Sequence, residues 1–402
     1  MKKFVSMLLA LVMVFALCAC GSKTEGGDKA ESKIKVGFIC LHDENSTYDK
    51  NFIDAAKAAC KNAGLSEDQY IIKTNIPEGQ ECYNAAAELV DAGCNVVFAD
   101  SFGHEDFMIQ AAKEFKDVQF CHATGTKAHT EKLSNYHNAF ASIYEGRYLA
   151  GVAAGMKLQQ LIDEGTIKPE EAVIGYVGAF SFAEVISGMT SYFLGARSVC
   201  PSVTMKVQFV GSWSDATEES NAASALCDLG CKLISQHSDN TTPATMAQSK
   251  GAFHTGYNND MTGVAPDASI IGCRIDWTNY FVYAIESVAN GQEFDQDYCY
   301  GYDHGDVVLT ELNEAIAAPG TAEKLAEVEA GLADGSIKVF DTSTFTVDGE
   351  TLTSAFALDT DGDFTPDSEE AVFDGAFHES YFQSAPYFAI KIDGIEWLNS
   401  AF

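Results

Sequence analysis

Long apolar runs are missing from the sequence after its first twenty residues. No later segment approaches the ~20 consecutive apolar residues that a membrane-spanning helix requires. We therefore predict that the rest of the chain folds outside the bilayer. At about 370 residues, this part is too long for one small core, so its length favours two lobes.

Positive charge is also scarce. The 402 residues contain 25 Lys and Arg against 58 Asp and Glu, which gives a net charge of -33 at pH 7. A surface of this sign repels phosphate backbones and anionic lipid headgroups at long range. We therefore expect no nucleic-acid partner, whereas a small neutral ligand in a closed cleft stays compatible with the charge.

The motifs of common catalytic and metal sites are missing as well. There is no GxSxG, no HExxH, no phosphate-binding glycine loop and no CxxC or histidine-rich spacing. His104, Glu105 and Asp106 cluster, but they open a predicted helix, where acids favour the helix dipole. We expect a protein that is not an enzyme and has no metal or cofactor.

One acidic segment leaves a calcium site as an alternative. Residues 359–370, "DTDGDFTPDSEE", space oxygen atoms as an EF-hand loop does. Phe364, however, stands where that loop needs a glycine, and no helical pattern flanks the segment. A solvated acidic turn is the favoured interpretation.

The N-terminus has the pattern of an export signal. "MKKFVSMLLALVMVFALCAC" joins two lysines to an apolar stretch and a small-residue end. Its last residues resemble a bacterial lipobox, which predicts a signal peptide over residues 1–19 and lipidation of Cys20. Residues 20–33 have almost no apolar side chains and are expected to form a flexible tether. The mature protein is therefore expected on the outer face of the cell membrane, held by a lipid anchor.

Ten cysteines follow Cys20. Most lie singly within apolar patterns, where cysteine behaves as a small buried hydrophobe. Cys227 and Cys231 are the only close pair. Disulfides stay an alternative for an exported chain, but the pattern favours free thiols.

From Ile34 onward, short apolar runs alternate with helical patterns, which is typical of parallel sheets covered by helices. The alternation begins afresh after about residue 143, so we predict two Rossmann-like α/β lobes. The predicted parts are lobe 1 over 34–143, completed by part of 262–295; lobe 2 over 144–261, completed by part of 295–340; and a C-terminal extension of short strands and turns over 341–402.

Aromatic residues follow most of the predicted strands, usually beside an acid, an amide or a histidine. In open α/β sheets, ligands bind beyond the carboxyl ends of the strands. Two rings ~7 Å apart hold a planar heterocycle by stacking, at ~1 to 3 kcal/mol for each base contact. The pattern therefore suits a planar, uncharged ligand with polar edges. The aromatic residues in these loops are Tyr48, Phe102, Trp213, Tyr257 and Trp277.

Each of these residues also has an ordinary structural interpretation. A single aromatic residue in a loop is commonly a lid on the core. Asp49 and Asp215 open predicted helices, where aspartate is a favoured N-cap.

Four stretches of the sequence resemble one family. They are "STYDKNF" from Ser46, "SIYEGRYLAGVAAGM" from Ser142, "VGSWSDATE" from Val210 and "TGYNNDM" from Thr255. They are similar to motifs of the basic membrane protein (Bmp, or Med) family of lipoproteins. The resemblance implies a substrate-binding subunit of an ABC importer, with the fold of type I periplasmic binding proteins, that binds a purine nucleoside and delivers it to a permease.

The resemblance also assigns roles to residues. Tyr48 and Trp213, where the family more usually has phenylalanine, would sandwich the purine, and Asp260 would bind the ribose. Asn45 stands where the family has an acid, and Cys273 replaces a common lysine. The ligand-binding residues expected from the loops and the resemblance are Asn45, Tyr48, Asp49, Phe102, Tyr144, Glu145, Trp213, His237, Asn258, Asp260 and Trp277.

Three alternatives stay open at this point. The same scaffold would also suit a flavin or another heterocycle. A nucleoside hydrolase is the enzymatic alternative, with carboxylates acting on a bound nucleoside. A sensory receptor that passes the bound state to a signalling partner would have the same sequence features.

Overall fold

The structure is a computed structural model that describes residues 34–358 and 366–401. The predicted signal peptide, tether and lipidation site at Cys20 lie outside the described residues, as does most of the acidic segment 359–370.

The described chain consists of alternating strands and helices with a tail of short strands. The strands are β1 (Val36–Ile39), β2 (Tyr70–Lys73), β3 (Val96–Ala99), β4 (Gln119–Ala123), β5 (Tyr136–Ala141), β6 (Val173–Gly178), β7 (Thr204–Phe209), β8 (Leu233–His237), β9 (Phe253–Tyr257), β10 (Ser269–Ile275), β11 (Asp297–Tyr300), β12 (Val307–Leu309), β13 (Phe356–Leu358), β14 (Pro366–Glu370), β15 (Val372–Phe373), β16 (Ala376–Phe377) and β17 (Ile395–Trp397). The helices are α1 (Thr47–Asn62), α2 (Gln80–Asp91), α3 (Glu105–Glu114), α4 (Ala128–Glu131), α5 (Ile143–Asp163), α6 (Ala183–Val199), α7 (Ala216–Asp228), α8 (Thr242–Lys250), α9 (Thr278–Asn290) and α10 (Thr321–Ala333).

The first sheet is entirely parallel, in the order β11-β5-β4-β3-β1-β2. Every residue of β1 and β3 is buried. Strands covered by helices on both faces lose the apolar–polar alternation of half-exposed strands, which explains the near-continuous apolar runs in the sequence.

The second sheet has the order β12-β10-β9-β8-β6-β7-β17 and is parallel except for β12, which runs antiparallel to β10. Two separate parallel sheets flanked by helices confirm the predicted fold class. The predicted end of lobe 2 at residue 261 comes one strand too early, because β10 pairs with β9. The chain then returns to the first sheet through α9 and β11 before it adds β12 to the second.

Helices α5 and α6 pack with their backbones in direct contact. A Cβ atom on Gly195 would lie 2.0 Å from the carbonyl oxygen of Tyr148, and one on Gly151 would lie 2.0 Å from that of Tyr192. Both distances are far below van der Waals contact, so only glycine fits at these crossing points. The repeated glycines of "SIYEGRYLAGVAAGM" are thus a packing requirement of the second lobe.

The tail after α10 packs on both sheets. Strand β17 adds to the edge of the second sheet beside β7. On the first sheet, the side chain of Asp297 in β11 accepts a hydrogen bond from Ser384 N at 2.9 Å. Two small hairpins, β13–β14 and β15–β16, account for the other strands of the tail. We call residues 338–401 the C-terminal extension from here on.

All ten cysteines of the described chain are free thiols, and eight of them are buried. Within the same residues, no helix combines the length and the apolar character that crossing a membrane would require.

Candidate functional site

Loops from both sheets meet at the carboxyl ends of their strands and enclose a small cavity. Its wall on the side of the first sheet comes from the loops after β1, β3 and β4. The facing wall comes from the first turn of α6 and the loops after β7, β8 and β9. The lining residues are Leu41, His42, Tyr48, Asp49, Asp100, Ser101, Phe102, Thr124, Glu184, Trp213, His237, Asp239, Tyr257 and Asn258. We call this space the cleft.

The cleft is closed in this structure. Thr47 N donates to Asp239 O across it at 2.9 Å, and the rings of Phe102 and Phe182 meet with centroids 5.7 Å apart. The enclosed volume is about 30 Å³, which suffices for a water molecule but not for a purine. Entry of a ligand therefore requires the two lobes to move apart.

Two aromatic residues stand on opposite walls of the cleft. Tyr48 lies in the first turn of α1, where Ser46 caps the helix by accepting from Asp49 N at 3.3 Å. The Tyr48 hydroxyl donates to Asp100 O at 2.8 Å, which fixes the ring against the loop after β3. The sequence predicted this location for Tyr48.

Trp213 lies in the loop after β7 and is half-buried. Its indole packs against Phe180 and Phe182, with ring centroids 5.1 and 6.1 Å away. Its carbonyl oxygen accepts from Asp239 N at 2.8 Å, so the loops after β7 and β8 hold each other in place.

Four carboxyl groups line the same cavity: Asp49, Asp100, Glu184 and Asp239. The surroundings of Asp49, Asp100 and Asp239 shift their pKa values in different directions. Burial, reinforced by the nearby charge of Asp49, raises the pKa of Asp100 well above its ordinary value. The same two causes raise the pKa of Asp239. Burial also acts on Asp49, but its hydrogen bonds, with His42 foremost, outweigh that effect and lower its pKa.

Burial therefore favours the protonated form of Asp100 and Asp239, whereas the hydrogen bonds of Asp49 favour its ionised form. A protonated carboxyl group can donate a hydrogen bond, whereas a carboxylate only accepts. This is the mixture that the edge of a heterocycle or a sugar hydroxyl requires.

His237 and Tyr257 complete the wall from the second sheet. Their rings pack with centroids 4.5 Å apart. His237 Nε2 lies 3.3 Å from Glu184 Oε1, but burial lowers the pKa of the imidazole and favours its neutral form. Arg147 stacks on Tyr257, with its guanidinium carbon 4.6 Å from the ring centroid.

A buried carboxyl group positions the loop after β8. Glu219 in α7 accepts from Ser238 Oγ at 2.7 Å and from Asn240 N at 3.2 Å. It also accepts from Asp215 N at 3.0 Å in the loop after β7. Glu219 thereby connects the two loops that carry Trp213 and Asp239.

One cluster in the described chain has the composition of a metal site. Cys40, Asp49 and Asp100 bring one ligand atom each within 4.8 Å of the others. Burial, followed by the charge of Asp100, raises the pKa of the Cys40 thiol. Metal ligation requires the thiolate and ionised carboxylates, and burial opposes the ionisation of both Cys40 and Asp100, so this cluster is a poor metal site.

Six of the eleven predicted ligand residues line the cleft: Tyr48, Asp49, Phe102, Trp213, His237 and Asn258. Asn258 is buried and donates to Asp239 Oδ1 at 3.0 Å. Its backbone has φ of 65°, in the left-handed region that asparagine tolerates. This turn directs its side chain back toward the loop after β8.

Two of the other predicted residues lie on the surface, outside the lining of the cleft. Asn45 is exposed, and its side chain donates to Asp43 Oδ1 at 2.8 Å. Asp260 is exposed and accepts from Thr262 N at 2.8 Å within its own turn. Their short-range partners show that both side chains stabilise turns.

The remaining three predicted residues also lie away from the cleft. Tyr144 packs under the C-terminal extension, 5.5 Å from the ring of Phe340. Glu145 accepts from Tyr302 N at 2.7 Å. Trp277 is 1% exposed and packs in the core of the first lobe. The side chains of these three residues contact other parts of the protein and do not line the cleft.

Eight further lining residues, among them Asp100, Glu184 and Asp239, do not belong to the eleven predicted ligand residues. Tyr257 is another of the eight, although it was identified as an aromatic residue at a strand end. Thr124 and Glu184 follow β4 and β6, two apolar strands whose ends the prediction did not include. Asp100 directly follows β3 and Asp239 lies two residues after β8, so the rule that identified the aromatic residues also identifies these acids.

Comparison with known proteins identifies the family of the chain. Residues 35–337 match the family described as Bmp, ABC transporter substrate-binding protein PnrA-like. A purine-binding protein of Brucella abortus is 32% identical over 332 residues, which are 82% of this chain and 89% of that protein. A putative ABC transporter glucose-binding protein of Haloferax volcanii is 32% identical over 251 residues, or 62% of this chain and 60% of that protein.

A solved structure supports the fold. The ABC transporter solute-binding protein of Conexibacter woesei superposes with a TM-score of 0.60 at 17% identity, over 76% of this chain and 98% of that one. The match confirms the type I arrangement of two α/β lobes, and the match of 35–337 confirms the resemblance seen in the four motifs. The chain belongs to the Bmp family of extracytoplasmic substrate-binding proteins, which bind a small molecule for an ABC transporter permease.

Proposed function

We propose that the cleft captures a purine nucleoside or a closely related planar heterocycle. The observation that carries this proposal is the placement of Tyr48 and Trp213 on opposite lobes but on the same cavity. Two aromatic faces suit a flat base, and the carboxyl groups that line the same cavity suit its polar edges and a sugar. The Brucella abortus relative, named as purine-binding, supports the same ligand class.

Capture in this proposal is a binding equilibrium coupled to lobe closure. The open form admits the ligand, and closure brings both aromatic walls and the Thr47–Asp239 hydrogen bond together. The permease then recognises the closed form and receives the ligand. No bond in the ligand changes, so incubation of inosine with the protein is expected to release no ribose.

The first test is a ligand panel measured by thermal shift and calorimetry. Inosine, adenosine, guanosine or one of their bases is expected to raise the melting temperature, because a ligand that binds only the folded state stabilises it. Glucose serves as the comparison that the Haloferax volcanii relative suggests, and riboflavin represents a larger heterocycle. A response to glucose or riboflavin with none to any purine would refute the proposed ligand class.

We also propose that Cys20 carries a lipid that anchors the protein to the membrane. The lipobox-like end of the export signal, directly before Cys20, supports this proposal. Cells grown with radiolabelled palmitate are expected to label the wild type but not Cys20→Ser. Equal labelling of both proteins would exclude Cys20 as the attachment site, and no labelling of either would point to a secreted, unanchored protein.

A further inference from the structure

The C-terminal extension forms one wall of a second cavity next to the cleft. The cavity has a volume of about 320 Å³, within the roughly 300 to 1,000 Å³ of small-molecule sites. Its lining residues are Phe102, Thr124, Thr126, Ser181, Phe182, Ala183, Glu184, Leu358, Gln383, Ala385, Pro386 and Ala389. We call this space the chamber.

The chamber adjoins the cleft directly. Phe102, Thr124 and Glu184 line both spaces. The ring contact of Phe102 with Phe182 stands at this boundary, and the two residues belong to different lobes. Any separation of the lobes therefore parts these rings and joins the chamber to the cleft.

The wall supplied by the extension is held in place. Buried Glu379 accepts from Tyr387 N at 2.7 Å and from Phe388 N at 2.9 Å, which orders the segment that carries Ala385, Pro386 and Ala389. Ser384 N bonds to Asp297 in the first sheet. The extension lies beyond residue 337, where the match to the family ends.

The chemistry of the chamber differs from that of the cleft. The cleft concentrates four carboxyl groups and two histidines, whereas the chamber surface consists mainly of carbon from Phe102, Phe182, Leu358 and Pro386. An apolar group gains free energy by leaving water for such a surface, whereas a charged or strongly polar group loses hydration there.

We propose that the chamber receives an apolar substituent of the ligand whose heterocycle is held in the cleft. This inference rests on the proposed function and makes it more specific, because it distinguishes substituted purines from unsubstituted ones. The ligand class is a planar heterocycle with polar edges and a compact apolar group attached to it.

Adenine, adenosine and two isomers that carry the same apolar group, N6-benzyladenine and 9-benzyladenine, test the proposal by calorimetry. One benzyl isomer is expected to bind about tenfold or more tightly than adenine, because its ring leaves water for the chamber. The use of two isomers covers either direction in which the base can point its substituent.

Two variants that fill the chamber from opposite walls provide the structural test. Ala389→Phe in the extension and Ala183→Leu at the start of α6 both replace half-buried alanines of the lining. Each is expected to reduce the affinity ratio of the benzyl isomer to adenine to near one. Ala333→Phe, at an exposed alanine of α10 outside the lining, is the matched control and keeps the wild-type ratio.

The outcomes separate the two proposals. If adenine or adenosine binds but neither benzyl isomer binds more tightly than adenine, the chamber proposal is wrong and the proposed function stands. A benzyl advantage that persists in every folded chamber variant also overturns the chamber proposal. If none of the four compounds binds, the chamber proposal is wrong, and the proposed function is also wrong only if inosine, guanosine and their bases fail to bind as well.

Discussion

Replacing Trp213 with alanine is expected to weaken binding of the best purine ligand by roughly 1 to 3 kcal/mol, or about 5- to 150-fold. The indole lines the cleft from the second lobe, opposite Tyr48. Its removal leaves the base stacked on one side only. Because Trp213 is half-buried and packs mainly on Phe180 and Phe182, the folded protein should tolerate the change. Calorimetric titration of Trp213→Ala gives the loss in affinity directly.

Trp397→Ala is the matched control for this experiment. Trp397 is also half-buried, but it lies in β17 and packs on Phe209, with ring centroids 5.2 Å apart, away from the cleft lining. We expect this variant to lose some stability while it keeps the wild-type affinity. If Trp213→Ala behaves in the same way, Trp213 is a lid on the core and does not contact the ligand.

The second large effect that we expect is a loss of folding stability as the pH rises, caused by the buried carboxyl group of Glu219. Burial raises the pKa of Glu219 from its ordinary 4.5 to about 7 in the folded protein. When the pKa of a carboxyl group is higher in the folded than in the unfolded protein, the group makes its full contribution to stability at pH values below the unfolded pKa. This contribution is lost as the pH rises through the folded pKa. Between pH 5 and pH 8 the loss amounts to about 2 to 3 kcal/mol of the free energy of unfolding.

Glu219→Gln removes this contribution because the amide is neutral at every pH. The variant is expected to lose less free energy of unfolding than the wild type between pH 5 and pH 8, as measured by chemical denaturation at both pH values. Glu218→Gln, at the exposed neighbouring position, should retain the wild-type pH dependence. A pH dependence that is equal in all three proteins would show that Glu219 does not titrate in this range.

The same residue connects stability to the cleft. Glu219 holds Ser238, Asn240 and Asp215 in the loops after β7 and β8. Above pH 7 Glu219 ionises, and its carboxylate accepts these hydrogen bonds more strongly than the neutral carboxyl group does. None of its hydrogen-bonded neighbours is a cation, however, so the buried charge has no opposite charge beside it. Glu219 therefore holds the loops of Trp213 and Asp239 in place, but its burial lowers the free energy of unfolding by an amount that increases with pH.

Much of the fold was predictable because the signals involved are local. Strands β1 and β3 are buried on both faces, so their apolar runs are continuous, and α1 follows with apolar residues at helical spacing. Such periodicities follow from backbone geometry within one segment. The error at residue 261 arose because the sheet to which β10 belongs is decided by its pairing with β9, and no local pattern in β10 records that choice.

The site was predictable only in part, for a related reason. The rule that ligands lie beyond strand ends found Tyr48 and Trp213. It also selected Trp277, which packs 5.7 Å from the ring of Phe52 in the core. An aromatic residue after a strand can turn toward the cavity or toward the core, and the choice depends on neighbours distant in the sequence.

The sequence by itself determined the class of fold, the family and the presence of aromatic and acidic residues at the strand ends. Only the tertiary structure decided which of these loops meet, that burial raises the pKa of Asp100 and Asp239, and that the extension adds a chamber beside the cleft. The contact of Thr47 with Asp239 joins residues that are far apart in the chain. Burial and desolvation arise from such long-range contacts, so the chemistry of the cleft is a property of the folded lobes together.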